Sequence, residues 1–250
     1  MNLLIDAGNT RIKWALTDEC NWLDSGHFSV EQAGELAQFF AACFDRLGMD
    51  SKNIQIWTSN VAGEEVAQHI RNIGTGHPPE FVVAREEQCG VRNGYSSASQ
   101  LGSDRWAALI AAWHRVRGEC LVVGCGTATT IDTLSEHGEF LGGLILPGIE
   151  LMQRSLRDAT AQLQSISGKY APFPQNTADA LFSGAIQASC GAIERQYALL
   201  DSEHGRRAEA PVLLSGGAAA QLQEHINLPI QIVDNPVLQG LLLIAQKASV

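Results

Sequence analysis

The sequence predicts an α/β protein built of two similar halves. Three observations predict it. An apolar strand, a glycine-containing turn and a second strand occupy Leu3 to Leu16. The same pattern returns at Leu121 to Leu134. Elsewhere, short apolar runs alternate with amphipathic stretches of helical length, as in sheets that carry helices. A duplicated strand–turn–strand suggests two halves, 1–117 and 118–250, facing each other across a cleft.

In the first copy, Leu3-Leu4-Ile5 reads as a buried strand, and Ile12, Trp14 and Leu16 alternate along its neighbour. Asp6-Ala7-Gly8-Asn9-Thr10 is the turn between them, running on into Arg11-Ile12-Lys13. Gly8 and Asn9 allow a tight backbone whose amide N–H groups face a ligand. Asp6, at the mouth of the turn, is placed to hold a hydrated cation. Together with Thr10, Lys13 and the exposed amides it suits a magnesium–polyphosphate. An ordinary hairpin, in which Asp-x-Gly-Asn only makes the turn, accounts for the stretch equally well. The second copy tips the balance. Ile5 aligns with Val123, Asp6 with Gly124, Gly8 with Gly126 and Asn9 with Thr127. Two such turns could divide a phosphate chain between them.

The remaining elements follow in order. Trp22 to Phe28 supplies a third strand. Ser29, with Gln32 three residues on, signals the start of a helix running to Leu47 and burying Leu36, Phe39, Phe40, Phe44 and Leu47. A strand at Ile54 to Thr58, a helix at Ala62 to Ile73 and a short strand at Phe81 to Val83 come next. Gln88 to Gln100 reads as a polar loop around the turn signal Asn93-Gly94-Tyr95. Leu101 to Val116 is helical, with Ser103 as a cap and Asp104 and Arg105 in its first turn. An Asp there complements the macrodipole; an Arg does not, and implies a ligand or a carboxylate partner. In the second half, Phe140 to Pro147 is a strand with glycines at 142 and 143, followed by a helix through Leu156 and an irregular stretch from Ala159 to Pro174. Thr177 to Leu200 is a long helix rich in small residues. Val212 to Leu214 runs into Ser215-Gly216-Gly217, a glycine pair against which a nucleotide base or sugar can lie. Asn235 to Ala248 is the closing helix.

Composition narrows the function. A net charge of -10 and a pI near 5.1 argue against nucleic acid as the main partner. The six cysteines, at 20, 43, 89, 120, 125 and 190, form no Cys-x-x-Cys. They read as reduced thiols of a cytoplasmic protein rather than a zinc site or disulfide framework. The N-terminus has no basic stretch before its apolar run, so no signal peptide is expected. The apolar run around Leu241 to Ala245 is too short to span a bilayer, so no membrane partner is expected.

The layout of paired halves around an ATP cleft resembles the actin, Hsp70 and sugar-kinase group of ribonuclease H-like folds. More specifically, the chain resembles the type III pantothenate kinases, some of whose bacterial homologues have been named accessory factors of a virulence regulator. The motifs carrying the resemblance are Asp6-x-Gly-Asn-Thr10, Asn93-Gly-Tyr95, Gly102-Ser-Asp-Arg-Trp106, Gly126-Thr-Ala-Thr-Thr130, Gly142-Gly-x-Ile-x-Pro-Gly148, Asn176-Thr177 and Ser215-Gly-Gly217. The resemblance implies ATP-dependent phosphorylation of pantothenate, the first committed step of coenzyme A synthesis. It implies that Asp6 to Lys13 form one phosphate loop, with Asp6 near magnesium, and that Gly126 and Thr127 form the other. Gly216 then belongs to the nucleotide site. Tyr95, Gly102, Ser103, Asp104 and Arg105 resemble the pantothenate site, with Asp104 as general base. Thr177 matches a residue that reaches the substrate from the neighbouring subunit, which implies a homodimer. The family usually carries Asp where this chain has Gly124. That exchange leaves the potassium or ammonium site weakened, rebuilt from carbonyls, or absent.

Each candidate also has an ordinary structural reading. Asp104 can serve as a helix N-terminal stabiliser. Arg105 can pair with Asp104 or Glu119, Thr177 can cap a helix, and Tyr95 can anchor a loop. Trp57, Trp106 and Trp113 read as core, the seven histidines show no metal spacing, and Ser215 has no visible base partner. Two other functions compete with the kinase. One is a non-catalytic nucleotide-binding accessory protein; the other is a phosphatase acting on nucleotide or polyphosphate.

Overall fold

The computed structural model describes residues 1–19, 21–159, 168–204 and 209–248, the third stretch with side chains to 200. The chain forms two compact units, Met1–Arg115 together with Asn235–Val250, and Val116–Asp234.

The first unit holds β1 (Asn2–Ala7), β2 (Arg11–Asp18), β3 (Asn21–Ser29), α1 (Leu36–Arg46), β4 (Gln55–Asn60), α2 (Glu64–Arg71), β5 (Glu80–Phe81), the short hairpin β6 (Glu87–Gln88) and β7 (Val91–Asn93), and α3 (Ser103–Val116). Its main sheet has the order β3-β2-β1-β4-β5. Side chains alternate across a strand, so β1 divides cleanly between two faces. Leu3, Ile5 and Ala7 join Ile12, Trp14, Ile54 and Ile56 against α1 and α2, which contribute Phe40, Phe44, Val66 and Ile70. Leu4 and Ala15 pack on the other face with Ala107 of α3 and with Leu238 and Leu241 of the closing helix. That closing helix (Pro236–Ala248) therefore belongs with the first unit rather than the second, where the sequence suggested it lay. Its glycine lets the two helix backbones touch, since a Cβ on Gly240 would come within 2.9 Å of the Ala107 Cα.

The second unit holds β8 (Cys120–Cys125), β9 (Ala128–Leu134), β10 (Glu139–Pro147), α4 (Ile149–Ala159), α5 (Thr177–His204), β11 (Val212–Ser215), α6 (Ala219–Gln223) and β12 (Ile230–Ile232), the closing helix being α7. Here β8 pairs antiparallel with β9 and parallel with β11, β9 pairs antiparallel with β10, and β11 pairs parallel with β12. In the first unit β1 pairs antiparallel with β2 and parallel with β4, β2 antiparallel with β3, and β4 parallel with β5. The two sheets thus repeat one pattern of order and direction, the duplication expected from the two turns. Leu121, Val123, Val212 and Leu214 pack against Ile186 and Ile193 of α5.

Several local expectations are corrected. The stretch after Ser29 is not one helix: a 3-10 turn, Val30–Glu35, precedes α1. Gln32 still accepts the Ser29 N–H at 3.1 Å, so the start signal was real. Phe39 and Leu47 are 36% and 38% exposed rather than core, although the Phe39 ring meets Trp14, Phe28 and Phe40 edge-on. The supposed loop from Gln88 to Gln100 contains β7 and a 3-10 turn at Ala98–Gln100. Residues 160–167 of the stretch read as irregular lie outside the described residues, as does Cys20. The other five cysteines are free and buried. Trp106 is fully buried. No helix among the described residues is long and apolar enough to cross a membrane.

Candidate active site

The first turn closes where β1 meets β2. Ala7 pairs with Ile12, and the Gly8 N–H donates to the Arg11 carbonyl at 3.0 Å. Neither Gly8 nor Asn9 takes a left-handed backbone. The glycine serves close approach instead, because a Cβ there would lie 3.3 Å from the Arg11 oxygen. The Val30 N–H donates to the Thr10 carbonyl at 3.0 Å and holds the far side of the turn. Asn9, Thr10 and Arg11 stand exposed, whereas Asp6 and Lys13 are partly buried.

Strand register sets Asp6 among its neighbours. It pairs with Lys13 on β2 and with Ser59 on β4. These three residues lie on the sheet face that α3 covers, since Leu4, two residues before Asp6, packs with Ala107. Helix α3 begins at Ser103, so its first turn reaches the end of that face. The structure thereby brings Asp104 close enough to act electrostatically on Asp6. Burial pushes the Asp6 carboxyl up to about 7; Lys13 pulls it down and Asp104 pushes it further up.

Asp6 can hold a hard cation. A divalent ion there would supply positive charge to a carboxylate short of solvent and shield it from Asp104. Among the described residues, no group of three or more His, Cys, Asp and Glu could hold a metal. A carboxylate such as that of Asp6 suits an ion such as magnesium, which keeps several waters and shares itself with substrate phosphates.

A pH dependence follows. The folded-state value, about 7, lies above the ordinary 3.8. Folding without metal therefore takes up a proton at Asp6 between those values, and the associated stability is lost as pH rises through about 7. Replacing Asp6 by Asn removes the penalty. From pH 5 to pH 8, metal-free Asp6→Asn should gain on the wild type by on the order of a few kcal/mol in denaturant unfolding. Magnesium should then raise the wild-type midpoint at pH 8 and leave that of the variant unmoved. Parallel pH curves for the two proteins would contradict this account.

The start of α3 differs from expectation at its cap. Gly102, not Ser103, is the cap residue, its carbonyl accepting the Trp106 N–H at 2.9 Å. The Asp104 carboxylate accepts the Arg105 N–H at 2.8 Å through Oδ1. A Cβ on Gly102 would come within 2.6 Å of that oxygen, so the glycine leaves room for this carboxylate position. Arg105 is buried, and its guanidinium donates to the Tyr95 hydroxyl at 3.2 Å with the ring centroid 5.8 Å away. Arg105 therefore pairs with Tyr95. Tyr95 is itself placed by Asn93, whose Oδ1 accepts the Tyr95 N–H at 3.0 Å and whose Nδ2 donates to the Ala98 carbonyl at 3.2 Å. The Trp106 indole N–H donates to Gln88 Oε1 at 2.8 Å and fixes the next position of α3.

In the second unit, Gly126 and Thr127 form an exposed turn between β8 and β9, where the Gly126 N–H donates to the Ala128 carbonyl at 3.1 Å. Two glycines elsewhere in sequence hold it. The Gly148 N–H donates to the Thr127 carbonyl at 2.9 Å, and Gly216, with φ +98, packs on the backbone of Cys125. The Ala218 N–H donates to the Cys125 carbonyl at 3.2 Å. Gly216 is thus brought beside Gly126 and Thr127. At Gly124, opposite Thr130, an added Cβ would lie 2.9 Å from the Thr130 hydroxyl. Thr177 opens α5, but the cap is Asn176, whose Oδ1 accepts the Asp179 N–H at 2.9 Å. Thr177 instead lines a groove of about 450 Å³ with Met152, Leu156 and Leu181.

Sequence reasoning missed Gly148 and Ser59. Gly148 closes a glycine-rich motif, and only its hydrogen bond across the turn reveals its part there. Ser59 carried no signal beyond a small polar residue at a strand end.

Comparison with known proteins identifies the family. The family model described as type III pantothenate kinase matches residues 2–199. A Nitrosospira multiformis protein of that name is 47% identical over 250 residues, covering 99% of this chain and 92% of the relative. One from Aromatoleum aromaticum is 45% identical over 249 residues, covering 99% and 98%. Among solved structures, a Campylobacter jejuni protein described as a Baf family transcriptional activator aligns at TM-score 0.62 and 23% identity, covering 99% and 100% of the two chains. A Sinorhizobium meliloti protein described as a 2-dehydro-3-deoxygalactonokinase aligns at TM-score 0.60 and 15% identity, covering 99% of each. At those identities the structural likeness speaks for the fold, an ATPase and sugar-kinase type, and the sequence matches speak for the family. The chain belongs to the type III pantothenate kinase family.

Proposed function

We propose that this protein transfers the γ-phosphoryl group of ATP to the primary hydroxyl of pantothenate, giving 4'-phosphopantothenate for coenzyme A synthesis in the cytoplasm. One observation carries this conclusion beyond family membership. Asp104 lies close enough to Asp6 to act on its carboxyl, and a buried Arg105 paired with Tyr95 follows directly on Asp104.

The roles follow from chemistry. Asp104 accepts the hydroxyl proton as the oxygen attacks phosphorus. Its Oδ1 is tied by the Arg105 N–H, which leaves Oδ2 for the substrate. The Arg105 guanidinium, steadied by Tyr95, offers forked donors to the carboxylate or amide end of pantothenate. Gly102 and Ser103 line the same helix start. Lys13 neutralises developing phosphate charge, and the residues from Ala7 to Ile12 and the pair Gly126 and Thr127 offer amides to phosphate oxygens. Gly216 lies against the nucleotide. Asp6 would hold a magnesium ion, which would supply positive charge to the phosphates. Gly124 supplies no carboxylate, and Thr130 fills the space beside it; the requirement for potassium or ammonium is therefore relaxed. Five buried free thiols suit a reducing compartment.

Thr177 acts from the neighbouring subunit of a homodimer. Its exposure on the α4–α5 groove supports this, as does the exposed small-residue row Ala180, Gly184, Ala188 and Gly191 along α5.

The test is product identity together with one substitution. Mass analysis should find a monophosphorylated pantothenate made at the expense of ATP. Arg105→Lys keeps the charge but loses the fork and the contact with Tyr95. It should raise the KM for pantothenate by about tenfold or more and leave the KM for ATP nearly unchanged. A pantothenate KM unaffected by Arg105→Lys would remove Arg105 from the substrate site.

A further inference from the structure

We infer that Ser59 is a positioning residue for the base Asp104, an inference that rests on the kinase function proposed above. Ser59 and Ser103 are both buried, at 0% and 8% exposure, and their hydroxyl oxygens stand 2.9 Å apart. On the sheet side, Ser59 is the direct register partner of Asp6. On the helix side, Ser103 immediately precedes Asp104. One hydroxyl–hydroxyl bond therefore joins the strand neighbour of the cation-binding carboxylate to the chain neighbour of the base.

The rest of that junction is short and tied down. The Val61 N–H donates to the Ala7 carbonyl at 2.9 Å, extending the strand pairing past Ser59. Asn60 folds the following turn, its Oδ1 accepting the Ala62 N–H at 2.9 Å and its Nδ2 donating to the Gly63 carbonyl at 2.8 Å. Val61 Cγ1 lies 3.9 Å from the point a Cβ on Gly102 would occupy. The end of β4 that carries Ser59 is thus held in place, and the Ser59–Ser103 bond fastens it to the start of α3.

The duplicated half supplies a control within the same chain. Ser215 on β11 holds the place of Ser59, since it pairs with Gly124 as Ser59 pairs with Asp6. Its hydroxyl turns back to the Val123 carbonyl of its own sheet at 3.4 Å. A serine at this strand position therefore has a local partner available, and in the catalytic half the hydroxyl is engaged by the helix instead.

A group that only positions the base acts on the transition state, so its loss should appear in kcat and not in KM. Ser59→Ala, Ser103→Ala and the double variant test this in steady-state kinetics normalised to folded protein, alongside wild type and Asp104→Asn. Each single variant should lose about 10- to 100-fold in kcat, and Ser59→Ala should keep both KM values within about twofold of wild type. The double variant should lose no more than the worse single one, because both break the same bond. Should Ser59→Ala fail to fold, Ser103→Ala breaks the bond from the helix side. Unchanged kcat per folded enzyme in the single variants, or losses that multiply in the double variant, overturns the inference while the Asp104→Asn collapse leaves the kinase standing. Full activity in Asp104→Asn removes the base and the inference with it, and no pantothenate turnover by wild type removes the inference and the kinase together.

Discussion

Asp104→Asn should lower kcat by about a thousandfold while the protein still folds and binds ATP. Asn preserves size and can still receive the Arg105 N–H that Oδ1 accepts at 2.8 Å. It cannot accept a proton from a hydroxyl. The ordinary structural reading of Asp104, a charge at a helix N-terminus, predicts something different: a stability loss of about 0.3–1 kcal/mol and intact turnover. Thermal unfolding and steady-state kinetics on the same preparation separate the two. The accessory-protein reading also meets its test here, since a binding protein that does not catalyse loses nothing when Asp104 is neutralised. Asp6 should respond as well. With Asp104 neutral, one of the causes that raise its carboxyl is gone. Magnesium binding in Asp104→Asn should therefore survive, which keeps the loss of turnover assignable to the base.

Gly148→Ala should damage the turn at Gly126 and Thr127 through a single methyl. The added Cβ would fall on the Gly126 carbonyl oxygen and within 2.7 Å of that of Thr127, and both are backbone atoms that cannot swing aside. The turn must then shift, and the hydrogen bond from the Gly148 N–H to Thr127 must stretch. Overpacking of this kind costs about 1–3 kcal/mol of stability. The functional loss should be larger, about a hundredfold in kcat/KM for ATP, because displacing reacting groups by an ångström has effects of that size. Gly74→Ala is the control, as nothing lies within 4 Å of its Cβ position. Wild-type ATP kinetics in Gly148→Ala would show that this turn does not meet phosphate.

Local chemistry was legible in the sequence and long-range contact was not. The first hairpin could be read because Ile12, Trp14 and Leu16 alternate in step with one buried face, and they do join that core. Asp6, Tyr95, Asp104 and Arg105 stand out by motif and residue type, and the structure pairs Arg105 with Tyr95 and brings Asp104 near Asp6. The cap positions were misjudged by one residue at both Ser103 and Thr177, since Gly102 and Asn176 differ from them only in backbone conformation and partner choice. The bond between Ser59 and Ser103 spans 44 residues, and no period or turn signal encodes it. The placement of α7 failed for a related reason. Leu238 and Leu241 mark an apolar helix, but only the sheet face left open beside Leu4 and Ala15 decides where it docks.

ADP release by the purified protein from Mg-ATP, measured with and without pantothenate in potassium, ammonium and sodium buffers, tests the central claim most directly. The account predicts release that depends on pantothenate and differs little among the three salts, because no carboxylate stands at Gly124. Release indifferent to pantothenate, or none from protein shown to be folded, would contradict it.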